Sequence, residues 1–321
     1  MNKFWAKVKN VFVEKDSMAK PLQRGKGPFI FFMVIITILN FLVFYVAVNI
    51  NSFVLAFQEY IGKGAYKISL SQFQNVFENI RIGLFGTLEE KLAQEGSVIV
   101  GFENTMMYFW SNLLISLPLS FFASYFIYKK VLAYRFFRVI FFMPSIISQV
   151  VLVLVYKNLI IPGGGLENMF GISLGEVMGS RKSANITMLI YCLWTAFGTD
   201  MILYQGAMKR IPESVIEAAK LDGVGPAGEM FKIITPLVWP TVMTTITVAF
   251  SSFMTASGPI LLFTKGSQNT HTISYLLFDK VKYAGETNYA AALGLVCTFV
   301  AIPVVFFSRW VLSKLFETVE Y

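Results

Sequence analysis

Side chains able to do chemistry are few in this chain, and their spacing excludes most reactions. The cysteines are Cys192 and Cys297, and the one histidine is His271. Both cysteines stand in apolar stretches, so they form no disulfide framework and read as packing residues. A single histidine cannot build a His-based metal site or a triad, and no metal ligand set is expected. No G-x-x-x-x-G-K-[ST] phosphate loop is present; GKG occurs at 25–27 and 62–64 without the rest. No strand reads convincingly, so no dinucleotide fingerprint follows one. The pattern fits a conduit or receptor, not a catalyst, and no catalytic residue is assigned. Uphill transport would then draw on an ion gradient or a partner. An ion relay needs ionisable groups at mid-membrane depth. The one acid inside an apolar stretch, Asp200, lies near its end with Lys209 and Arg210 soon after. A salt bridge or helix-end role fits it better.

The densest run of polar and small residues is the loop at 205–237. It reads as two short helices around a turn. Pro212 suits a first helical turn, where a missing N–H costs nothing, and Glu213 and Glu217 favour the early turns of that helix. Gly223 stands where a left-handed C-terminal cap falls. A second helix over 227–234 carries Met230, Phe231 and Ile234 on one face, and Pro236 is expected to end it. With Ala218 and Ala219 letting backbones come close, and Glu217 and Asp222 offering charge, this unit could enter a groove on a partner. The alternative is an ordinary amphipathic loop. A polar solute path would need hydroxyls, amides and aromatic faces inside the bundle. Candidates are Ser145, Ser148 and Gln149, then Tyr191, Trp194 and Thr195, then Ser251, Ser252 and Thr255; each alone could equally be a helix-packing residue.

The elements that position these residues are membrane spans. Of 321 residues, 55% are hydrophobic and 14% charged, against roughly 25% charged in a soluble domain. Six stretches are long enough to cross a bilayer: 28–49, 105–128, 136–156, 184–204, 238–263 and 290–312, the third with a kink at Pro144. The fold class is therefore all-α, a polytopic membrane protein with about six transmembrane helices. Net charge is +8, but the basic residues flank the spans rather than forming one soluble face, which argues against nucleic acid. Alternate segments hold 17 and 10 of the 27 Lys and Arg, so the positive-inside rule puts both termini in the cytoplasm. Lys129, Lys130, Arg135 and Arg138, with no acid among them, are the clearest local signal. The expected organisation is a cytoplasmic segment at 1–27 with an interfacial helix and a first span at 28–50. An outer loop follows at 51–104, then a core of five spans at 105–313 and a tail at 314–321. In the outer loop, Phe73, Val76, Phe77 and Ile80 follow helical spacing, with Ser71 and Gln74 as a capping box.

At the loop the pattern becomes specific. Glu217-Ala218-Ala219-x-x-Asp222-Gly223, then Phe231, Ile234, Pro236 and Pro240, with Ile211-Pro212-Glu213 upstream, resembles the EAA motif of permease subunits in binding-protein-dependent ABC importers. Further matches lie at Asn104-Thr105, Phe137-Arg138 with Pro144, Gly165 with Asn168, and Trp194 with Gly198. These resemble the carbohydrate-importer branch that includes the maltose permeases. Two positions depart from it: Thr235 where Leu is usual before the proline, and Thr264-Lys265-Gly266-Ser267-Gln268 where T-x-G-G-P is usual. The resemblance implies the type I ABC importer permease fold in a bacterial or archaeal cytoplasmic membrane. It implies a second, homologous permease as partner, two ATP-binding subunits below and an extracytoplasmic solute-binding protein above. ATP and Mg would sit on the ATP-binding subunit, with no cofactor in this chain. The loop residues Glu217 to Gly223, Phe231 and Pro236 would transmit the ATPase motion to the spans. The carried solute would be a sugar or oligosaccharide; a non-sugar ABC importer and a secondary carrier are the alternatives.

Overall fold

The computed structural model describes residues 26–62, 65–87, 90 and 96–315. The interfacial helix expected within 1–27, and the tail beyond 315, lie outside the described residues.

The first span stands as its own unit. Helix α1 (Phe29–Ala56) is apolar on every side and its hydrophobic window is wholly exposed, as suits a helix surrounded by lipid.

The second unit begins with a small antiparallel hairpin, β1 (Gln58–Gly62) and β2 (Ala65–Ile68), in which Tyr60 faces Tyr66. No strand was expected here. Helix α2 (Ser71–Phe85) follows. Its Val76 is buried against Val98, Ile273, Leu276 and Leu293, while Phe77 stays exposed. Ser71 does not start a capping box: it is the first helical residue, and its N–H donates to Ser69 Oγ at 3.1 Å. The cap sits one turn-residue earlier than the S-x-x-Q spacing implied.

The remaining elements are helices. They are α3 (Val98–Tyr128), α4 (Tyr134–Ile146), α5 (Gln149–Ile160), α6 (Gly165–Phe170), α7 (Arg181–Met208) and α8 (Glu213–Leu221). After these come α9 (Pro226–Ser251), α10 (Ile260–Phe263), α11 (Ile273–Lys282) and α12 (Thr287–Leu315). Among the described residues five helices are long and apolar enough to cross a membrane, or six if α4 and α5, bent by 110° at their junction, count as one span.

Proline explains two local irregularities. In α3 a wide π turn covers Asn112–Ser116 and Pro118 follows two residues later. In α9 the π turn covers Glu229–Ile234 and Pro236 again follows by two. A proline cannot donate to the preceding turn, and its ring crowds the carbonyl four residues back. A widened turn just upstream removes that clash without breaking the rod. Pro236 therefore does not end a helix; α9 runs through it.

Helix α7 is the central post, packing on α3, α4 and α9. Small residues bring these backbones together. Ser116, Ser120 and Ser124, spaced by four on α3, are all buried, and Ser124 Oγ donates to Met201 O on α7 at 3.1 Å. On the other side Gly198 faces α4, where a Cβ would lie 2.8 Å from Ser145 Oγ and 3.0 Å from the Phe141 carbonyl. By contrast, nothing lies within 4 Å of a Cβ at Gly206 on the same helix.

That contrast gives an internal control. Gly198→Ala is expected to lower stability by about 1–3 kcal/mol, the usual cost of overpacking. Gly206→Ala should be neutral or slightly stabilising. Thermal unfolding of the detergent-solubilised protein, followed by size-exclusion chromatography, distinguishes them; equal midpoints for the two variants would refute the close approach.

Candidate functional site

Helix α8 is built to present one face and hide the other. Ile216 and Ala219, three apart, are buried inward with Met208, Met230 and Ile234 nearby. Glu217, Ala218, Lys220 and Asp222 are exposed, and Leu221 is 89% exposed. Gly223 ends the helix in the left-handed conformation, φ +73°. Ala219 thus packs on its own bundle, because it shares the inward face with Ile216; only Ala218 of the alanine pair is open to a partner. Phe231 is also largely exposed, its ring beside Phe122 at 6.1 Å, and Pro236 is half-buried inside α9. Sequence reasoning passed over Leu221, although a leucine on the charged face of an amphipathic helix is a legible signal.

The loop is fastened to the bundle beneath it. Lys129, at the end of α3, donates to both carboxylate oxygens of Glu229 at 2.8 and 2.9 Å. The Glu229 side chain is 5% exposed. Tyr125 Oη donates to Pro226 O at 3.0 Å. Both contacts join α3 to the start of α9, and α8 meets them through Ile216, which is buried with Tyr125 and Met230. Asp200 makes no ion pair among the described residues; Lys209 is nine positions away, too far along the helix to meet it.

At the opposite end a buried amide holds three segments. Asn104 donates to Asn269 O at 2.8 Å and His271 O at 2.7 Å. Its oxygen accepts from Arg181 at 3.1 Å and Asn185 at 2.9 Å. Thr105 beside it accepts from the Ile273 N–H at 3.0 Å. His271 is buried, with Nε2 3.0 Å from Ser97 O. Burial, more than any charge, holds its pKa below 6.5.

Between these ends lies a cavity of about 350 Å³, near the lower limit of ordinary ligand pockets, about 300–1,000 Å³. Its polar lining is Tyr108, Ser111, Asn112 and Ser116 from α3 and Ser252, Thr255 and Ser257 from the segment after α9. That segment is not helical. A continuous span was expected over 238–263, but α9 stops at Ser251 and the chain turns irregularly to α10. Irregular backbone at membrane depth survives only where protein or a polar cavity satisfies it. Here Ser274 Oγ donates to Thr255 O and Ser257 Oγ pairs with Thr272 Oγ1. The Tyr108 and Ser116 hydroxyls, on residues of this lining, are buried without hydrogen-bond partners.

Of the expected path residues, only Ser252 and Thr255 line this cavity. Tyr191 is buried in an aromatic cluster with Tyr156 and Phe263, and Trp194 stacks near Tyr156. Thr195 donates to Tyr191 O, and Ser251, exposed, donates to Val248 O. Ser145 donates to Phe142 O. Ser148 and Gln149 are exposed at the sharp bend between α4 and α5, whose backbone turns extended at Ile147 and Ser148. That bend replaces the single kinked span expected over 136–156. The polar residues missed were Ser257 and, on α3, Tyr108, Ser111, Asn112 and Ser116, whose i, i+3, i+4, i+8 spacing is a polar stripe in an apolar helix.

Comparison with known proteins gives the same architecture. The family described as binding-protein-dependent transport system inner membrane component matches residues 116–317. The multiple sugar-binding transport system permease protein MsmF of Streptococcus mutans is 27% identical over 193 residues, 59% of this chain and 66% of the relative. The sn-glycerol-3-phosphate transport system permease protein UgpA of Escherichia coli O157:H7 is 27% identical over 218 residues, 64% of this chain and 70% of UgpA. The chain thus spans just under two thirds of MsmF, and 60% of the relative YurN of Bacillus subtilis. A chain of a bacterial alginate ABC transporter, crystallised with an alginate pentasaccharide-bound periplasmic protein, superposes with TM-score 0.76. It is 19% identical, covering 92% of this chain and 97% of that one, a likeness of fold.

Two outcomes follow at the Asn104 end. Asn104→Ala strands two carbonyls and two donors, and at about 1–3 kcal/mol per unsatisfied buried group it should be among the most destabilising single changes here. A loss under about 1 kcal/mol in thermal unfolding would contradict the network. His271 stays neutral when folded, whereas the unfolded residue takes a proton near pH 6.5. Its contribution is therefore full above pH 6.5 and shrinks as pH falls from there toward the lower folded value. His271→Gln should flatten that acid-side slope; an unchanged slope would rule the residue out as its source.

Proposed function

We propose a transport role for a chain that belongs to the family of binding-protein-dependent transport system inner membrane components: it is the membrane-spanning permease subunit of an ATP-driven ABC importer, a transport part rather than an enzyme. The positive-inside count places the α8 end and both termini in the cytoplasm. There α8 docks on an ATP-binding subunit, one of two, which hold the ATP and Mg. A second homologous permease completes the bundle, and an extracytoplasmic solute-binding protein delivers cargo at the Asn104 end. Closure of the ATPase pair moves α8, and the Lys129–Glu229 clamp carries that motion into α3 and α9 as rigid-body gating.

The observation that carries this reading is the two-sided α8. Ile216 and Ala219 anchor it, while Leu221 stands 89% exposed beside the left-handed Gly223. A lone leucine so exposed on a water-facing helix fits a knob for a protein groove.

The solute class follows from the cavity. Its polar groups are hydroxyls, one amide and a tyrosine ring, with no charged side chain. That lining suits a neutral polyol, a sugar or oligosaccharide, as in the name of MsmF. A phosphate ester, named for UgpA, would need a cation that the cavity lacks. An importer for another neutral solute is the runner-up.

Leu221→Asp is expected to cut ATP-driven uptake at least tenfold and to reduce co-purification of the ATP-binding subunit. Membrane insertion and thermal midpoint should stay near wild type, because the side chain is almost wholly exposed. Gly223→Val should cut uptake likewise but also lower the midpoint, because its left-handed backbone is strained by about 1–2 kcal/mol. Normal uptake by Leu221→Asp would remove the docking role. If no ATP-binding subunit accompanies the wild-type chain in mild detergent, the importer reading falls with it.

A further inference from the structure

The charged cluster that signals orientation has a local geometry that orientation alone does not require. Of the four cations at 129–138, Lys129 is engaged by Glu229. Lys130, Arg135 and Arg138 have no carboxylate partner among the described residues. Arg135 and Arg138 stand in the first turns of α4, which carries no acid there. The N-terminal end of a helix is the positive end of its dipole, so two cations there oppose the local field. The approach to α4 is unusual too: Lys130 and Ala133 both adopt left-handed backbone, φ +52° and +61°. Residues that break a local rule are where function concentrates.

The space around these cations has the shape of an amphiphile. An almost wholly apolar crevice of about 360 Å³ lies between α3, α4 and α7, walled by Leu119, Ala123, Phe137, Phe141 and Phe197. The Tyr134 ring stands at its edge and also borders a second groove of about 550 Å³ along the other face of α4. Arg135 and Arg138 open that groove, and Val139, Phe142, Met143 and Ile146 continue it. Arg135 Nε donates to Tyr134 Oη at 3.1 Å, and its guanidinium lies 5.7 Å from the ring centroid. The cation is thus held at the ridge between two apolar channels. From Arg135 to Ile146 the helix rises about 16 Å at ~1.5 Å per residue, close to half of a ~30 Å hydrocarbon layer. Cationic head, two apolar channels and one leaflet of depth coincide on a single helix.

We infer that the α4 ridge is a binding site for one anionic diacyl phospholipid. Its phosphate sits on Arg135 and Arg138, with Lys130 alongside. One acyl chain fills the α3–α4–α7 crevice and the other follows the Val139-to-Ile146 stripe. Guanidinium groups take phosphate oxygens in pairs, and the anion offsets the conflict with the helix dipole. Basic pockets beside membrane helices hold such headgroups by the same charge logic. The inference needs only the membrane placement of α4, not the importer reading.

The test uses the full chain with whatever subunits co-purify. After washing in delipidating detergent, bound lipid is identified by mass spectrometry. The protein is then placed in nanodiscs of phosphatidylcholine alone or with phosphatidylglycerol, and thermal midpoints are read. Wild type should retain about one phosphatidylglycerol-class lipid per chain, and phosphatidylglycerol should raise its midpoint by a few degrees, in keeping with a specifically bound ligand. Arg135→Gln/Arg138→Gln should retain several-fold less and lose the rise, while Arg135→Lys/Arg138→Lys keeps both at least in part. Ala123→Trp, filling the crevice, should also lose lipid; Leu119→Phe serves if that variant does not fold. Equal retention in the Gln pair, or an equal midpoint in phosphatidylcholine, overturns the site. Loss of co-purifying subunits in Ala123→Trp with lipid unchanged also overturns it, since a protein partner would then own the crevice.

Discussion

Within a bilayer the backbone has no water to bond, and that single constraint shapes nearly everything here. Each amide must be satisfied by its own helix or by a neighbour. Long helices are the default, so every interruption needs a local cause. The π turns before Pro118 and Pro236 lie where an amide donor is missing. The irregular stretch after Ser251 is held by Ser257, Thr272 and Ser274. The bend at Ile147 and Ser148 is an exposed corner. The cavity lies beside the second of these interruptions, because backbone and hydroxyls freed from helical bonding are what a polar solute can use.

The same constraint makes small residues matter. Lipid is as apolar as leucine, so helices gain little by hiding apolar surface from it. Close backbone approach and interhelical hydrogen bonds take over. Ser116, Ser120 and Ser124 on one side of α7, and Gly198 on the other, let the central post touch both neighbours. Ser116 serves twice: it is buried among the small residues of α3 and is also part of the cavity lining.

Hydropathy made the spans legible, since a 20-residue apolar run has few other uses, and the left-handed cap at Gly223 was legible from glycine's place in the loop. Membership of the family and the helical fold accord with the resemblance read at 217–240. The hairpin at 58–68 was not legible, because four or five residues per strand carry too little alternation. The bend after Pro144 was read as a kink, since proline marks a weakness without saying how the chain resolves it. The cavity lining was half-missed for a related reason. Polar residues in spans were judged singly, whereas Tyr108, Ser111, Asn112 and Ser116 declare themselves only as a stripe on one helix face. Ala219 was assigned outward because its motif neighbours are, although its spacing from Ile216 puts it inside.

The stiffness of the loop comes from its attachment to the bundle. Helix α8 by itself is nine residues long and would be marginal alone in water. Its inner face, the Tyr125 hydrogen bond to Pro226 and the Lys129–Glu229 clamp make it part of the bundle. The clamp is nearly buried at its acidic end, and breaking one side of such a pair typically costs several kcal/mol, on the order of 3–5 when both ends are buried. Lys129 is a quarter exposed, so solvent screens part of that. What remains still ties α9 to α3 at one point. Glu229 is itself the first residue of the π turn Glu229–Ile234. The one widened turn in the first half of α9 is thus pinned to α3 at its first residue, so the flexible part of that helix starts at a fixed point rather than at a free loop.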